Sequence, residues 1–142
     1  MLTIQTHNPS HTPNPIGPYH HVAQAGPFIW LSGTPGVDPA TGQLAGADAG
    51  RQTTQILANL QTMLASCGAN LANLVHVTVF LKQTDDFAAM NTAYEQALQT
   101  HAGGHLPART VIVVADLPKP GALLTMNAQA IRENMIADRE GD

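Results

Sequence analysis

Charge is what this sequence has least of. Asp, Glu, Lys and Arg together make up 11% of its 142 residues, against about 25% in an ordinary globular domain. Lysine occurs only at Lys82 and Lys119. A short chain with so little charge to spread over its surface is expected to bury part of that surface against other subunits. The net charge of −4 argues against a dedicated nucleic-acid binder, which carries a basic patch, and against a polybasic protein of the membrane surface.

Cysteine is scarcer still. Cys67 stands alone, so no intrachain disulfide can form, which fits a reducing compartment. No apolar run approaches the roughly 20 residues of a membrane span, and the N-terminus shows no basic segment followed by an apolar one. A soluble cytoplasmic protein is therefore expected. The histidines show no ligand spacing, so no metal site is expected; His20 and His21 are adjacent and on a strand would point to opposite faces.

Against these absences stands a 44% share of apolar residues, ample for one domain with a real core. The chain reads as a single domain over 1–142, with an N-terminal strand and loop over 1–15 and a flexible charged tail over 133–142. Thr3 to Thr6 suits a short edge strand, and a proline-rich loop then holds Tyr19 in place. Val22–Ala25 and Phe28–Gly33 flank a Gly26-Pro27 turn as a hairpin, with Ser32-Gly33 ending the second strand. Val37 to Gly42 is turn-forming. Asp48 opens a helix whose Ile56, Leu57, Leu60, Met63, Leu64 and Cys67 recur at helical spacing before Gly68.

Leu74 to Leu81 alternates, which predicts a strand with Val75, Val77, Val79 and Leu81 on one face. Thr84-Asp85-Asp86 is expected to cap a second helix, striped by Phe87, Met90, Tyr94 and Leu98 and ended by Gly103-Gly104. Thr110 to Val114 reads as a buried strand. In the last strand, Leu124, Met126, Ala128 and Ala130 should face one way. The order is β-β-β-α-β-α-β-β, an α+β mixed sheet with two helices on one face. Its other face is too apolar for water, which again predicts an oligomer.

Arg109 is the most chemically suggestive position. It follows a proline that no helix can run through and stands at the mouth of the apolar strand. Its planar fork of donors fits a carboxylate or phosphate. A structural ion pair or a side chain snorkelling to solvent would account for it equally well. For Tyr19 the competing role is packing at the core rim; for Ser32 it is turn chemistry, and for Asn91 a solvent-facing place on the second helix.

Ile16-Gly17-Pro18-Tyr19, Leu31-Ser32-Gly33, Val37-Asp38-Pro39-Ala40-Thr41-Gly42, Phe87-Ala88-Ala89-Met90-Asn91 with Tyr94, and Pro107-Ala108-Arg109 occur in this order. As an ordered set they resemble the YjgF/RidA family, the enamine/imine deaminases, from about Gly17 to Arg132. The resemblance implies a chorismate-mutase-like fold, a homotrimer with pockets between subunits, and no cofactor. It also implies that Arg109 holds the carboxylate of a 2-aminoacrylate-type imine, that Tyr19, Ser32 and Asn91 complete the pocket, and that Val111 contributes backbone groups. The family's glutamate in the last strand is matched here by Thr125, or by Leu124 if the preceding loop has no insertion; none of Glu95, Glu133 and Glu140 falls there. A threonine can bond a water but cannot serve as a base near neutral pH. Three readings follow: a deaminase that releases a 2-oxo acid and ammonia, a non-catalytic trimer that binds a small carboxylate metabolite, or a deaminase of another substrate such as an aminomuconate-type acid. The low basic content gives little support to an endoribonuclease.

Overall fold

A computed structural model describes residues 3–132, so the tail over 133–142 lies outside the described residues. The strands are β1 (Gln5–His7), β2 (Val22–Ala25), β3 (Phe28–Pro35), β4 (Val37–Asp38), β5 (Gln43–Leu44), β6 (Leu74–Leu81), β7 (Ala108–Val113) and β8 (Leu124–Ile131); the helices are α1 (Ala49–Ala65) and α2 (Phe87–His101). Six strands form one mixed sheet in the order β1-β2-β3-β8-β6-β7. Among the described residues only β6 and β7 run parallel, with α2 as their crossover. The main sheet and its two helices have the predicted order, and the Val37–Gly42 turn sits within a small extra hairpin, β4-β5.

Local chemistry accounts for the elements. Gly26 has φ 57° at the first position of the β2-β3 turn, and Pro27 follows with the negative φ its ring imposes, a pairing suited to a two-residue hairpin loop. Asp48 caps α1 by accepting from the Arg51 amide at 2.8 Å. Gly68, with φ 74°, turns the chain after that helix. α1 then lays Ile56, Leu57, Leu60, Met63 and Leu64 on the sheet face formed by Ile29, Leu31, Val77, Val79, Leu124 and Met126, all buried. Gln52 ties the β7-β8 connection to α1: its amide donates to the Gly46 and Gly121 carbonyls, and its carbonyl accepts from the Leu123 amide.

Four readings need correction. Between Leu74 and His76 the pairing with β8 shifts by a bulge, so Leu74 joins Val77, Val79 and Leu81 in the core while Val75 is exposed. Ser32-Gly33 does not end β3; it occupies a second bulge, opposite β8, and the strand runs on to Pro35. Thr84–Asp86 forms a 3₁₀ turn ahead of α2 without a side-chain cap, and Phe87 lies exposed, outside the buried stripe of Met90, Tyr94 and Leu98. The Thr110–Val114 strand is not buried in a single chain: β7 is the sheet edge, and Ile112 and Val113 are exposed.

The face opposite the helices is open. Register places Trp30, Gln129, His76 and Ala108 in one row across it, and Thr125, Phe80 and Ile112 in another. Trp30 is 45% and Phe28 42% exposed there.

Candidate active site

The second helix and the edge strand meet at Arg109. The side chain leaves β7 toward α2, where its guanidinium carbon lies 4.8 Å from the centre of the Tyr94 ring, within cation–π range. Nη1 also approaches the Met90 sulfur at 3.8 Å. The ion pairs found among the described residues are Arg51–Asp48 and Lys82–Asp116, so Arg109 has no carboxylate partner there. The contact with the Tyr94 ring holds the guanidinium beside α2 and leaves donors free.

Those donors face a cavity of about 330 Å³ lined by Asn91, Tyr94, Glu95, Leu106, Pro107 and Arg109. Asn91, Tyr94 and Glu95 are at positions i, i+3 and i+4 of α2 and so share one helix face. Asn91 Oδ1 and the Tyr94 hydroxyl are both buried without a hydrogen-bond partner, although buried polar atoms are nearly always paired. Burial pushes the Tyr94 phenol above its ordinary pKa, and the positive Arg109 offsets part of that rise. The phenol therefore stays neutral at physiological pH and can donate a hydrogen bond. Together the pocket holds one unneutralised cation, one neutral donor, one amide oxygen and the Glu95 carboxylate, a set that suits a small carboxylate bearing a nitrogen.

A wider groove of about 660 Å³ runs between α1 and α2, but its cation, Arg51, is already paired with Asp48 at 3.4 Å. It offers no free charge.

The residues expected at the site fall into two groups. Arg109 and Asn91 line one cavity, and Val111 follows two residues along β7, half-buried against the core. Tyr19 and Ser32 belong to the far side of the molecule. The Tyr19 ring packs edge-on against His21 at 5.9 Å, and Ser32 Oγ donates to the His20 carbonyl at 2.7 Å. β8 and β6 separate β3 from β7, three strand spacings or about 14 Å. Thr125 lies between, half-buried on the open face and paired with Pro35 and Phe80. A single chain therefore carries two part-sites on opposite sides of its sheet. Sequence reading passed over Glu95; its spacing of four from Asn91 was the available signal.

Residues 9–132 match the family model described as Endoribonuclease L-PSP. A RutC family protein of Pyrococcus abyssi is 39% identical over 121 residues, which span 85% of this chain and 91% of that protein. The 2-iminobutanoate/2-iminopropanoate deaminase of Capra hircus is 38% identical over 109 residues, or 77% of each chain. The crystal structure of E. coli TdcF with bound serine superposes with a TM-score of 0.85 at 30% identity, covering 91% of this chain and 99% of that one. Ordered motifs, mixed sheet and aligned relatives agree, and the chain belongs to the YjgF/RidA family, whose model bears the L-PSP name.

Proposed function

We propose that the protein is an imine deaminase that hydrolyses a small carboxylate-bearing imine of the 2-aminoacrylate type to a 2-oxo acid and ammonia. The observation that carries this reading is Arg109: a guanidinium stacked on Tyr94, unpaired with any acid among the described residues, and open to a cavity of about 330 Å³. Half-buried without a counter-ion, such a group is poised for a ligand carboxylate. The named activity of the goat relative and the serine bound by TdcF point to the same ligand chemistry.

The reaction asks little of the protein. Imines hydrolyse in water unaided, and a site that holds the carboxylate and aims a water can accelerate the step through positioning. Arg109 would bind the carboxylate, and Asn91 Oδ1 would accept from the imine nitrogen. We further propose that the functional unit is a homotrimer. The open sheet face with Trp30 and Phe28 needs a cover, and a neighbouring copy would bring its Tyr19, Ser32 and Thr125 to the Arg109 pocket. Backbone groups at Val111 would hold the amine end. A cytoplasmic setting belongs to the same reading and is supported by the free, buried thiol of Cys67, which fits a reducing compartment; no helix of the described residues is long and apolar enough to cross a membrane.

Thr125, where the family's acid is expected, favours a second reading: a binding protein without turnover. Ammonia and oxo-acid release from enzymatically generated 2-aminoacrylate separates the two. Release above the uncatalysed rate supports the deaminase, and tight oxo-acid binding with no release supports the binder.

A further inference from the structure

The acid missing from the last strand has a substitute in the Arg109 pocket. We propose that Glu95 is the catalytic acid–base of this site, an inference that rests on the deaminase reading above. Glu95 is the one acidic side chain lining that cavity. It sits one helical turn beyond Asn91 and next to Tyr94, on the face of α2 that looks toward Arg109.

Two observations suit it to the role. Glu95 engages no cation and no hydrogen-bond donor among the described residues, so its lone pairs are free. It also lies more than an ion-pair distance from Arg109, since no such pair forms, so it shares the cavity without neutralising the cation that the substrate carboxylate needs. A carboxylate with free lone pairs at this place in the cavity can accept a proton from water. Thr125 has neither property: it has no basic oxygen, and it belongs to the middle of the open sheet face.

The step balances without any co-reactant. Water oxygen bonds to the iminium carbon while one water proton passes to Glu95, and the C=N π pair moves onto nitrogen, giving a neutral carbinolamine. Protonated Glu95 then gives its proton to that nitrogen. The C–N bond breaks, the carbonyl forms, and the hydroxyl proton passes through Glu95 to the departing ammonia. The products are the 2-oxo acid and ammonium, and Glu95 ends as it began.

The test uses Glu95→Gln and Glu95→Ala with 2-iminopropanoate generated in situ from alanine by an amino-acid oxidase, together with calorimetric binding of pyruvate. Glu95→Gln should lower kcat at least about tenfold, a modest share of what a positioned base contributes, with KM and pyruvate affinity within about twofold of wild type. Glu95→Ala should regain turnover on addition of formate, which a merely structural role would not produce. Undiminished kcat in Glu95→Gln, a change confined to KM, or no response to formate would overturn the assignment while leaving the deaminase reading in place. If the wild type itself neither binds pyruvate nor accelerates imine hydrolysis, both fall together.

Discussion

Arg109→Lys tests the site at its most exposed assumption, that a planar fork rather than a bare positive charge holds the ligand. Lysine keeps the charge but replaces two parallel donors with one ammonium, so at least one charge-assisted hydrogen bond is lost, worth about 1.5–3 kcal/mol. The ammonium also cannot lie flat on the Tyr94 ring, 4.8 Å from the guanidinium carbon; part of a contact worth about 0.5–1 kcal/mol goes with it. Some of both terms is recovered as the ammonium finds its own bond, so the net loss should be ~1.5–3 kcal/mol, or about tenfold to a hundredfold in Kd. The fold should survive. Arg109 is only half-buried, and its backbone pairing with Val77 does not depend on the side chain; unfolding free energy by urea titration should shift by less than about 0.5 kcal/mol. Calorimetry with pyruvate on a variant shown to melt normally gives the answer. Equal affinity in wild type and Arg109→Lys would refute the carboxylate assignment.

Light scattering coupled to size exclusion should return about three times the 15.0 kDa chain mass; a stable monomer at micromolar concentration would remove the shared pocket. Thr125→Glu locates the limiting acid: with Glu95 already acting, turnover should rise by no more than about twofold, whereas a tenfold gain would show that the strand acid had been missing all along. Cys67 is 5% exposed and burial pushes its thiol above the ordinary value, so disulfide-exchange labelling of the native protein should be at least about tenfold slower than in urea and need a higher pH than a free cysteine does. Equal labelling rates in both states would show the thiol accessible.

The sequence was most readable where structure depends on one segment at a time. The α1 stripe from Ile56 to Leu64, its cap at Asp48 and its stop at Gly68 are properties of a single stretch, and all three stand in the structure. The errors arose where structure depends on pairing. Nothing in Leu74-Val75-His76 announces that β8 will slip against it and turn Val75 outward. Nor does the apolar run after Arg109 reveal that β7 pairs on one side only. An edge strand left open in its own chain and a central strand covered on both sides are written in the same β-branched residues.

The site follows the same logic at a larger scale. Arg109 could be singled out because a proline and a strand mouth are local signals, and Asn91 because it belongs to an ordered motif. Glu95 carried only its spacing of four from Asn91, which on an exposed helix face means little until the helix is laid beside β7 and the cavity closes around it. Tyr19, Ser32 and Thr125 pose the opposite difficulty, since the motif order is legible yet the sheet holds them apart from Arg109. A cation on one edge and its expected companions three strands away make little sense in a monomer. They make sense when one copy's edge strand lies against the next copy's open face. In the trimer proposed above, the scarcity of charge along the chain and the division of its site would have one cause, since a face to be covered by a second copy would carry few charges and the pocket would be completed across it.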